Sequence, residues 1–439
     1  MMVLVALCIP LTTLHSSSTA LGAGAGMQSW IFSAMPLGCA VGLLPSGALG
    51  DDYGRRRVFI IGLAVMGLAL LGGGLAQGPL QLVLLRVLQG MGGAAVMACG
   101  LGLIAHAFPG AAERASATTI WAAALGAGVA LGPLLAALID NLAGWRWVYV
   151  AEAALVTLLA ASGSWLLPEI RAAKPRPVDL AGTVTLGGGM AALLVVMTET
   201  RNGRFDGLIL SLVVTAMVLL GAFVAIERRK KQPMLDLGLF ARPDFATATL
   251  GAFFSGAGII AIMSVLPTVL ERGYGESPVT GALVLLAWSG TSVIVPFVGK
   301  LLPDWASPQR LLVFGLVACA VGPAAIAFLG PQLALPEILP GLFLAGVGNG
   351  LLNLALGKLA IFSVPAERSA MGSGANNSAR YLGTAAGLTL AATILASAGQ
   401  GDDAVFRGWA WAAIASALLS GVGAVCVYLI GRGKACRVV

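Results

Sequence analysis

The sequence predicts an all-α membrane protein with fourteen transmembrane helices, the first of them abbreviated. Of its 439 residues, 58% are hydrophobic and 10% are charged, and the mean hydropathy is +0.93. A chain of this composition has too little polar surface to cover a water-soluble globule. Apolar stretches of about 20 residues, long enough to cross a bilayer as helices, follow one another along it. Helices satisfy their own backbone hydrogen bonds without water, and the 60 glycines let neighbouring helices approach closely.

Thirteen of the stretches have full membrane length. They run over residues 27–49, 58–76, 80–105, 115–139, 147–167, 180–198, 207–226, 245–270, 279–299, 311–329, 338–363, 372–397 and 408–430. The first stretch, Met1–Leu14, reaches membrane length only if it continues to about Leu21. A cleaved signal peptide is the alternative. Because no positive residue precedes the apolar run, we favour an abbreviated first helix.

The basic residues predict the orientation. If the loop that holds Arg55, Arg56 and Arg57 is cytoplasmic, alternation of the spans places most of the 26 Lys and Arg residues on that side. Only five fall on the opposite side: Arg146, Arg201, Arg204, Arg272 and Arg407. The asymmetry predicts a multi-pass protein of the plasma (inner) membrane with both termini in the cytoplasm. The net charge of +7 reflects this topology, and we expect no nucleic-acid partner.

Two charged segments divide the chain. Residues 168–179 follow the sixth span and residues 227–245 follow the eighth, which leaves six spans, a pair, and six more. We therefore predict an N-terminal six-helix bundle in residues 1–167, a linker with two extra helices in 168–244, and a C-terminal six-helix bundle in 245–439. Repeated six-helix bundles with a substrate site between them near the midplane are typical of secondary transporters.

Four segments carry a resemblance to a known family. They are GALGDDYGRRR (47–57), LVLLRVLQGMGGAA (82–95), GVALGPLLAA (128–137) and VPAERSAMGSGANNSARYLGTAAG (364–387). The first two resemble signature motifs of the major facilitator superfamily. The third resembles its antiporter motif, although alanines stand where the family usually has a pair of glycines. The extra pair of spans, the linker after it and the fourth segment are similar to the fourteen-span drug:proton antiporter branch.

The resemblance implies both a fold and a function. It implies a major facilitator fold and a secondary active transporter, without enzyme activity, that couples protons to the efflux of amphipathic or cationic drugs by alternating access. The implied partners are the lipid bilayer, a small-molecule substrate and protons, for a monomer without a cofactor. Two alternatives stay open: a carrier of one specific metabolite on the same fold, and a non-transporting membrane sensor or scaffold.

Metal sites and enzyme sites find no support in the residue pattern. The six cysteines stand singly, without the paired spacing of a zinc site or a disulfide framework. The two histidines, His15 and His106, are far apart in the sequence. We see no nucleophile–base constellation and no phosphate-binding loop. We therefore expect no metal and no catalytic site.

The charged stretch at residues 47–57 predicts a conformational latch. Gly47 and Gly54 permit a tight turn and close helix approach. Asp51 stands where it can accept hydrogen bonds from backbone donors or from an arginine across the bundle, and we group Arg55 with it. Breaking such a contact frees the helices to move. The alternative is that the arginines only anchor the loop on the cytoplasmic side.

Arg86 and Glu152 are the predicted proton-coupling residues. A permanent charge inside a span is costly unless it faces a partner or a wet cavity, and Gln89 and Gly93 on the same face of the helix suit a cavity wall. Arginine cannot release a proton, so coupling needs a carboxylate. No acid precedes Asp51. Of the acidic residues in the sequence, Glu152 is the one that lies well inside a predicted span. The alternatives are a fixed structural ion pair and an acid that reaches the surface.

Gly128, Gly132 and Pro133 in the fifth span predict a close helix contact that seals the cavity against proton leak, with ordinary packing as the alternative. Further polar and aromatic residues in the spans are candidates for the wall of a substrate cavity. They are Phe32, Met35, Gln89, Trp121, Trp288, Asn349, Asn353, Asn376 and Arg380. The alternatives are that the amides only bond neighbouring helices and that the aromatic rings face lipid or core.

Overall fold

The computed structural model describes residues 1–108, 110–170, 179–201, 206–230, 233–299, 306–328, 330, 335–365, 368–399 and 403–432. The regular elements of these residues are helical. The α-helices are α1 Met2–Cys8, α2 Pro10–Leu21, α3 Ala25–Tyr53, α4 Arg55–Gly74, α5 Pro79–Ala107, α6 Ala111–Ala143, α7 Trp145–Leu166, α8 Leu180–Arg201, α9 Gly207–Arg229, α10 Pro243–Ser255, α11 Ala261–Tyr274, α12 Pro278–Val298, α13 Pro308–Ala325, α14 Leu339–Phe362, α15 Ser369–Ser397 and α16 Ala404–Arg432.

In this part of the chain, thirteen helices are long and apolar enough to cross a membrane, with α10 and α11 joined into one through the π-helix Gly256–Ile260. A further candidate is the pair α1 and α2, which meet at a bend of 50°. Pro10 begins α2 and lacks the N–H that would continue the hydrogen-bond ladder, which explains the break. The predicted all-α membrane fold is confirmed, and the abbreviated first span corresponds to this bent pair.

Two large apolar cores lie in the two halves of the molecule. One is built from α1 to α8 around Met66, Leu70 and Tyr149, with Tyr381 of α15 added. The other is built from α10 to α16 around residues such as Leu316 and Trp409. The halves meet where α3 packs on α15 and where α6 packs on α12. The boundaries at residues 167 and 244 stay predictions.

The two extra helices have different surroundings. Helix α8 packs against α3 and α15 as well as α9, so it contacts both halves. Helix α9 packs mainly on α8, and only 17% of its most apolar 18-residue stretch is buried. Exposed side chains such as Leu210, Met217 and Val218 cover the rest of α9, as expected for a surface that faces lipid. The inserted pair is therefore part interface and part membrane-facing.

Candidate functional site

A cavity lies between the halves, and both halves line it. Its wall comes from α1, α2, α3, α5, α6 and α8 on one side and from α11, α12, α14 and α15 on the other. About 110 Å³ of the space can be reached by the centre of a water molecule. Most of the predicted substrate-cavity residues lie in this wall. They are Phe32, Trp288, Asn349, Asn353 and Arg380.

The other four predicted cavity residues lie outside the wall, because their side chains pack into helix interfaces. Met35 is fully buried, and Gln89 is buried beside Arg86. Trp121 packs against the small cluster of Leu101, Ala105 and Ala360. Asn376 is buried, and its side-chain oxygen accepts a hydrogen bond from a threonine of α10. Their helices border the cavity, but these side chains are on faces turned towards neighbouring helices.

Helices α12 and α14 contribute a hydrogen-bonded polar group to the wall. The amide nitrogen of Asn349 donates to the hydroxyl of Ser292 at 2.9 Å, and that of Asn353 lies 3.5 Å from the same oxygen. Both amide oxygens lack a hydrogen-bond partner among the described residues, and so does the indole N–H of the buried Trp288. Hydrogen-bonding groups left without protein partners are the features that orient a ligand in an otherwise apolar cavity.

Arg86 lies behind the cavity wall rather than in it. Its side chain is 0% exposed. The guanidinium donates to the carbonyl oxygen of Ile31 at 2.8 Å and to that of Ala6 at 3.4 Å, so helix backbone replaces the water that the sequence predicted there. Helix α1 contacts both sites, since Ala6 accepts from Arg86 and Leu4, Leu7 and Cys8 line the cavity.

Glu152 is buried close to Arg86. The two charges interact electrostatically, but no ion pair joins them, and neither carboxylate oxygen of Glu152 has a hydrogen-bond partner among the described residues. One nitrogen of the Arg86 guanidinium also lacks a partner. The predicted proximity of the two residues is therefore present in the structure. A buried, unpartnered carboxyl beside a permanent cation is a group that can bind and release a proton.

At one end of the molecule, Asp51 ties the two halves together. Its carboxylate accepts hydrogen bonds from the backbone N–H groups of Ala370 at 3.3 Å and Met371 at 2.9 Å, in the first turn of α15. It also forms an ion pair with Arg55 at 2.7 Å. Arg55 in turn donates to the carbonyl oxygen of Gly102 in α5 at 2.9 Å. A carboxylate at a helix N-terminus is well placed electrostatically, because the unpaired N–H groups point at it.

Two glycines make this contact possible. A Cβ atom at Gly47 would lie 2.5 Å from the carbonyl oxygen of Ala370, so only glycine lets α3 approach α15 this closely. Gly54 connects α3 and α4 with φ 129°, a conformation that residues with a side chain rarely adopt. This turn allows Arg55 to begin α4 while Asp51 lies in the last turn of α3. The four residues of the predicted latch thus belong to one structural unit.

Helix α6 approaches α1 closely at the predicted antiporter motif. A Cβ at Gly128 would lie 2.9 Å from the Cβ of Leu4, and one at Gly132 would lie 3.1 Å from that of Cys8. The carbonyl oxygen of Pro133 accepts a hydrogen bond from the Thr12 hydroxyl at 3.3 Å. The glycines therefore bring α6 against the helix that contacts Arg86 and also lines the cavity.

Sequence reasoning missed the part of the wall that α8 provides. Leu194, Met197 and Thr198 line the cavity, and the carbonyl oxygen of Met197 accepts a hydrogen bond from Thr389 of α15 at 3.0 Å. Nearby, the indole of Trp30 donates to Glu199 at 2.6 Å and joins α3 to α8. An apolar span carries no signal of which neighbour it contacts. Among the described residues, no group of three or more His, Cys, Asp or Glu could hold a metal.

Two packed helical cores around a shared central cavity define a secondary transporter of the membrane. The chain belongs to the Major Facilitator Superfamily, whose family model matches residues 2–388. The family resemblance seen in the sequence motifs is thereby confirmed, as is the expectation that the chain is a transporter and not an enzyme.

Three bacterial relatives match most of the chain. The chain is 32% identical over 379 residues to puromycin resistance protein pur8 of Streptomyces alboniger, covering 85% of this chain and 75% of that protein. It is 31% identical to multidrug resistance protein Stp of Mycobacterium tuberculosis, covering 85% and 69%. It is 30% identical to multidrug efflux pump LfrA of Mycolicibacterium smegmatis, covering 84% and 73%.

A solved structure has the same fold. The human organic anion transporter MFSD10 superposes with a TM-score of 0.66 over 95% of this chain and 96% of that one. The two sequences are 17% identical, so the likeness concerns the fold alone.

Proposed function

We propose that this chain is a proton-driven exporter of amphipathic drugs that works by alternating access in the plasma membrane, as a monomer. The observation that carries the proposal is a central cavity lined by both halves, with a buried Arg86 and Glu152 behind its wall. The contact of Asp51 with α15 across the two halves adds a closure at one end. The drug-resistance and efflux names of the three bacterial relatives support export of drugs.

In this proposal the bundles 1–167 and 245–439 rock about the cavity, and 168–244 links them. The Asp51 end faces the cytoplasm, as the distribution of basic residues favours, and both termini lie on that side. The bond between Asp51 and α15 holds the cytoplasmic end closed. Its release opens the cavity to the cytoplasm, while the opposite end closes.

Glu152 carries the proton. A buried carboxylate without hydrogen-bond donors is costly in its ionised form, so the closed arrangement favours the neutral acid. When the bundles rock, Arg86 or water approaches the carboxyl and favours the ionised form, which releases the proton. The contact of Gly128, Gly132 and Pro133 with α1 and α2 seals this compartment from the cavity.

The test is transport into proteoliposomes under an imposed pH gradient, with neutral, anionic and cationic fluorescent amphiphiles as probes. We expect wild-type protein to accumulate at least one class of probe about tenfold over protein-free vesicles. Glu152→Gln keeps the shape of the side chain but cannot ionise. The variant should lose pH-driven accumulation. Without a pH gradient, its rate of exchange of the same probe should stay within about threefold of the wild-type rate. The control Glu271→Gln changes an exposed carboxyl and should keep both activities.

Each outcome decides a specific part of the proposal. Unchanged pH-driven accumulation in Glu152→Gln removes Glu152 as the coupling group. Transport of a single probe structure with rejection of its close analogues favours a metabolite carrier. Absence of any probe transport by wild-type protein, with a cellular output that survives Arg86→Ala, favours a sensor or scaffold.

A further inference from the structure

The cavity wall carries one fixed charge. Arg380 of α15 is half-buried and lines the cavity, and no Asp or Glu is among the described residues of the wall. The titratable groups that act on it electrostatically are Tyr381 and Cys319, and neither is a carboxylate. No described residue forms an ion pair with it. Because arginine stays charged in proteins, the cavity has a positive charge that no described residue of its wall neutralises.

Close packing fixes the backbone of α15 at this arginine. Gly256, in the π-helical segment, lies directly against the backbone of α15, and a Cβ there would collide with the carbonyl oxygen of Arg380 and lie 2.7 Å from the backbone nitrogen of Thr384. On the face of α15 that lines the cavity, Arg380 is flanked one turn away by Asn377 and by Thr384. The packing thus fixes the backbone segment that carries Arg380, and Arg380 lines the cavity.

A second donor in the wall is without a partner. Trp288 of α12 is 3% exposed, and its indole N–H has no hydrogen-bond partner among the described residues. Leaving a buried N–H unpaired costs about 1–3 kcal/mol, which a ligand acceptor would recover. Arginine and indole N–H groups are both donors, and together they suit an oxyanion.

Apart from uncharged polar groups such as Asn349 and Asn353, much of the rest of the wall is apolar. Phe32 of α3, Leu194 and Met197 of α8, and Leu388 of α15 line it, together with Leu7 and Leu11 from the first two helices. A ligand that fills the cavity therefore has an apolar body in addition to its polar group. A cationic group in the same space would be repelled by Arg380 at low dielectric, with no wall carboxylate to offset the repulsion.

We propose that the cavity takes amphipathic organic anions, whose carboxylate or sulfonate binds at Arg380 and Trp288 while the apolar body lies against Phe32, Leu194 and Met197. The inference rests on the proposed function for the role of the cavity in transport. The sequence resemblance implies amphipathic or cationic drugs as the cargo. The cavity wall instead favours amphipathic compounds with a negative charge.

The experiment measures binding, which needs no transport. The purified full chain is placed in nanodiscs of neutral phosphatidylcholine, and three probes with the same ring system are titrated by fluorescence: pyrenesulfonate, pyrenemethanol and pyrenemethylammonium. We expect the sulfonate to bind about tenfold more tightly than the ammonium. Arg380→Gln should weaken sulfonate binding about tenfold and leave pyrenemethanol within about twofold. Arg380→Lys should keep part of the preference, and the control Arg272→Gln, at an exposed arginine, should keep all of it.

The opposite ranking of probes overturns the proposal. If the ammonium binds wild-type protein as tightly as the sulfonate, the cavity does not select anions. If Arg380→Gln weakens all three probes equally, Arg380 is structural. Should that variant fail to fold, Trp288→Phe replaces it, because it keeps the ring and removes the N–H, and it should weaken the sulfonate alone by about threefold. A protein that prefers the sulfonate but exports no probe under a pH gradient would retain this site and lose the proposed function.

Discussion

Two arginines inside the membrane-spanning helices have opposite surroundings. Arg86 is 0% exposed, donates to backbone carbonyls of two other helices, and has Glu152 nearby. Arg380 is half-buried, lines the cavity, and has no carboxylate in the wall around it. Backbone carbonyl groups compensate the first charge, and the second is left to whatever enters the cavity. The role of an arginine in a transmembrane helix therefore depends on its partners and its access to water, and not on its depth alone.

The largest effect is expected from removing the compensated charge. Arg86→Ala leaves Glu152 buried without its cation and frees the carbonyl oxygens of Ile31 and Ala6. We expect a loss of about 1–3 kcal/mol in the free energy of unfolding for each carbonyl oxygen left buried without its donor, together with loss of transport. The measurement is the thermal unfolding midpoint of the detergent-solubilised protein. Arg380→Gln, measured alongside it, should leave the midpoint nearly unchanged.

The double variant Arg86→Ala, Glu152→Gln sharpens the comparison. If the cost of the single change is the stranded carboxylate, removing both charges should recover much of the stability and none of the proton coupling. Costs that simply add would mean that the two residues do not interact. In that case Arg86 matters only through its backbone contacts.

The next largest effect concerns the contact between the halves. Asp51→Asn keeps the shape of the side chain and removes the charge that Arg55 and the N–H groups of α15 share. A charge-assisted hydrogen bond contributes about 1.5–3 kcal/mol, so the ratio of closed to open molecules should fall roughly tenfold or more. Spin labels at the exposed Arg57 and Arg310, at this end of opposite halves, should report longer distances.

The matched control for this change is Asp403→Asn, an exposed carboxyl at the other end of the molecule. It should leave the distance distribution unchanged. An identical response of both variants would show that net charge, and not the contact with α15, sets the opening equilibrium.

Much of the fold and part of the site follow from local sequence. Span length and apolar composition predict the helices, because in a bilayer the backbone leaves few alternatives. Motifs predict residues that act through nearby backbone, such as Gly47 and Asp51. What sequence does not contain is which face of a helix meets which neighbour. For that reason the sequence predicts Met35 and Asn376 in the cavity wall although they pack between helices, and it does not predict Met197 although that residue lines the cavity.

A moderate effect is expected at the α1–α6 contact. Gly132→Val introduces a branched side chain where a Cβ alone would lie 3.1 Å from Cys8. We expect a loss of about 1–3 kcal/mol in the free energy of unfolding and a faster passive proton leak, because α6 moves away from the helix that covers Arg86. Thermal unfolding and a pH-sensitive dye inside vesicles measure the two effects. Gly221→Val is the control, since nothing lies within 4 Å of a Cβ there, and an equal leak in both variants would contradict a seal at this contact.

The smallest effect concerns a cation–acid pair that water reaches. Lys230, after α9, pairs with Asp179, before α8. Burial opposes ionisation of Asp179, but hydrogen bonds from Lys230 and from the N–H of Gly182 outweigh it and hold the pKa of Asp179 below its usual 3.8. A lowered pKa stabilises the fold at pH values above 3.8, and this stabilisation is lost as the pH falls through the lowered value.

Because Lys230 is 36% exposed, water screens the Lys230–Asp179 pair, and we expect Asp179→Asn to cost only about 0–1 kcal/mol. The difference between wild type and variant in thermal unfolding should be largest at neutral pH and disappear in strong acid. A cost as large as that of Arg86→Ala would contradict the comparison of the two arginines. It would mean that removing the partner of a water-exposed cation costs this protein as much stability as a change at a buried cation.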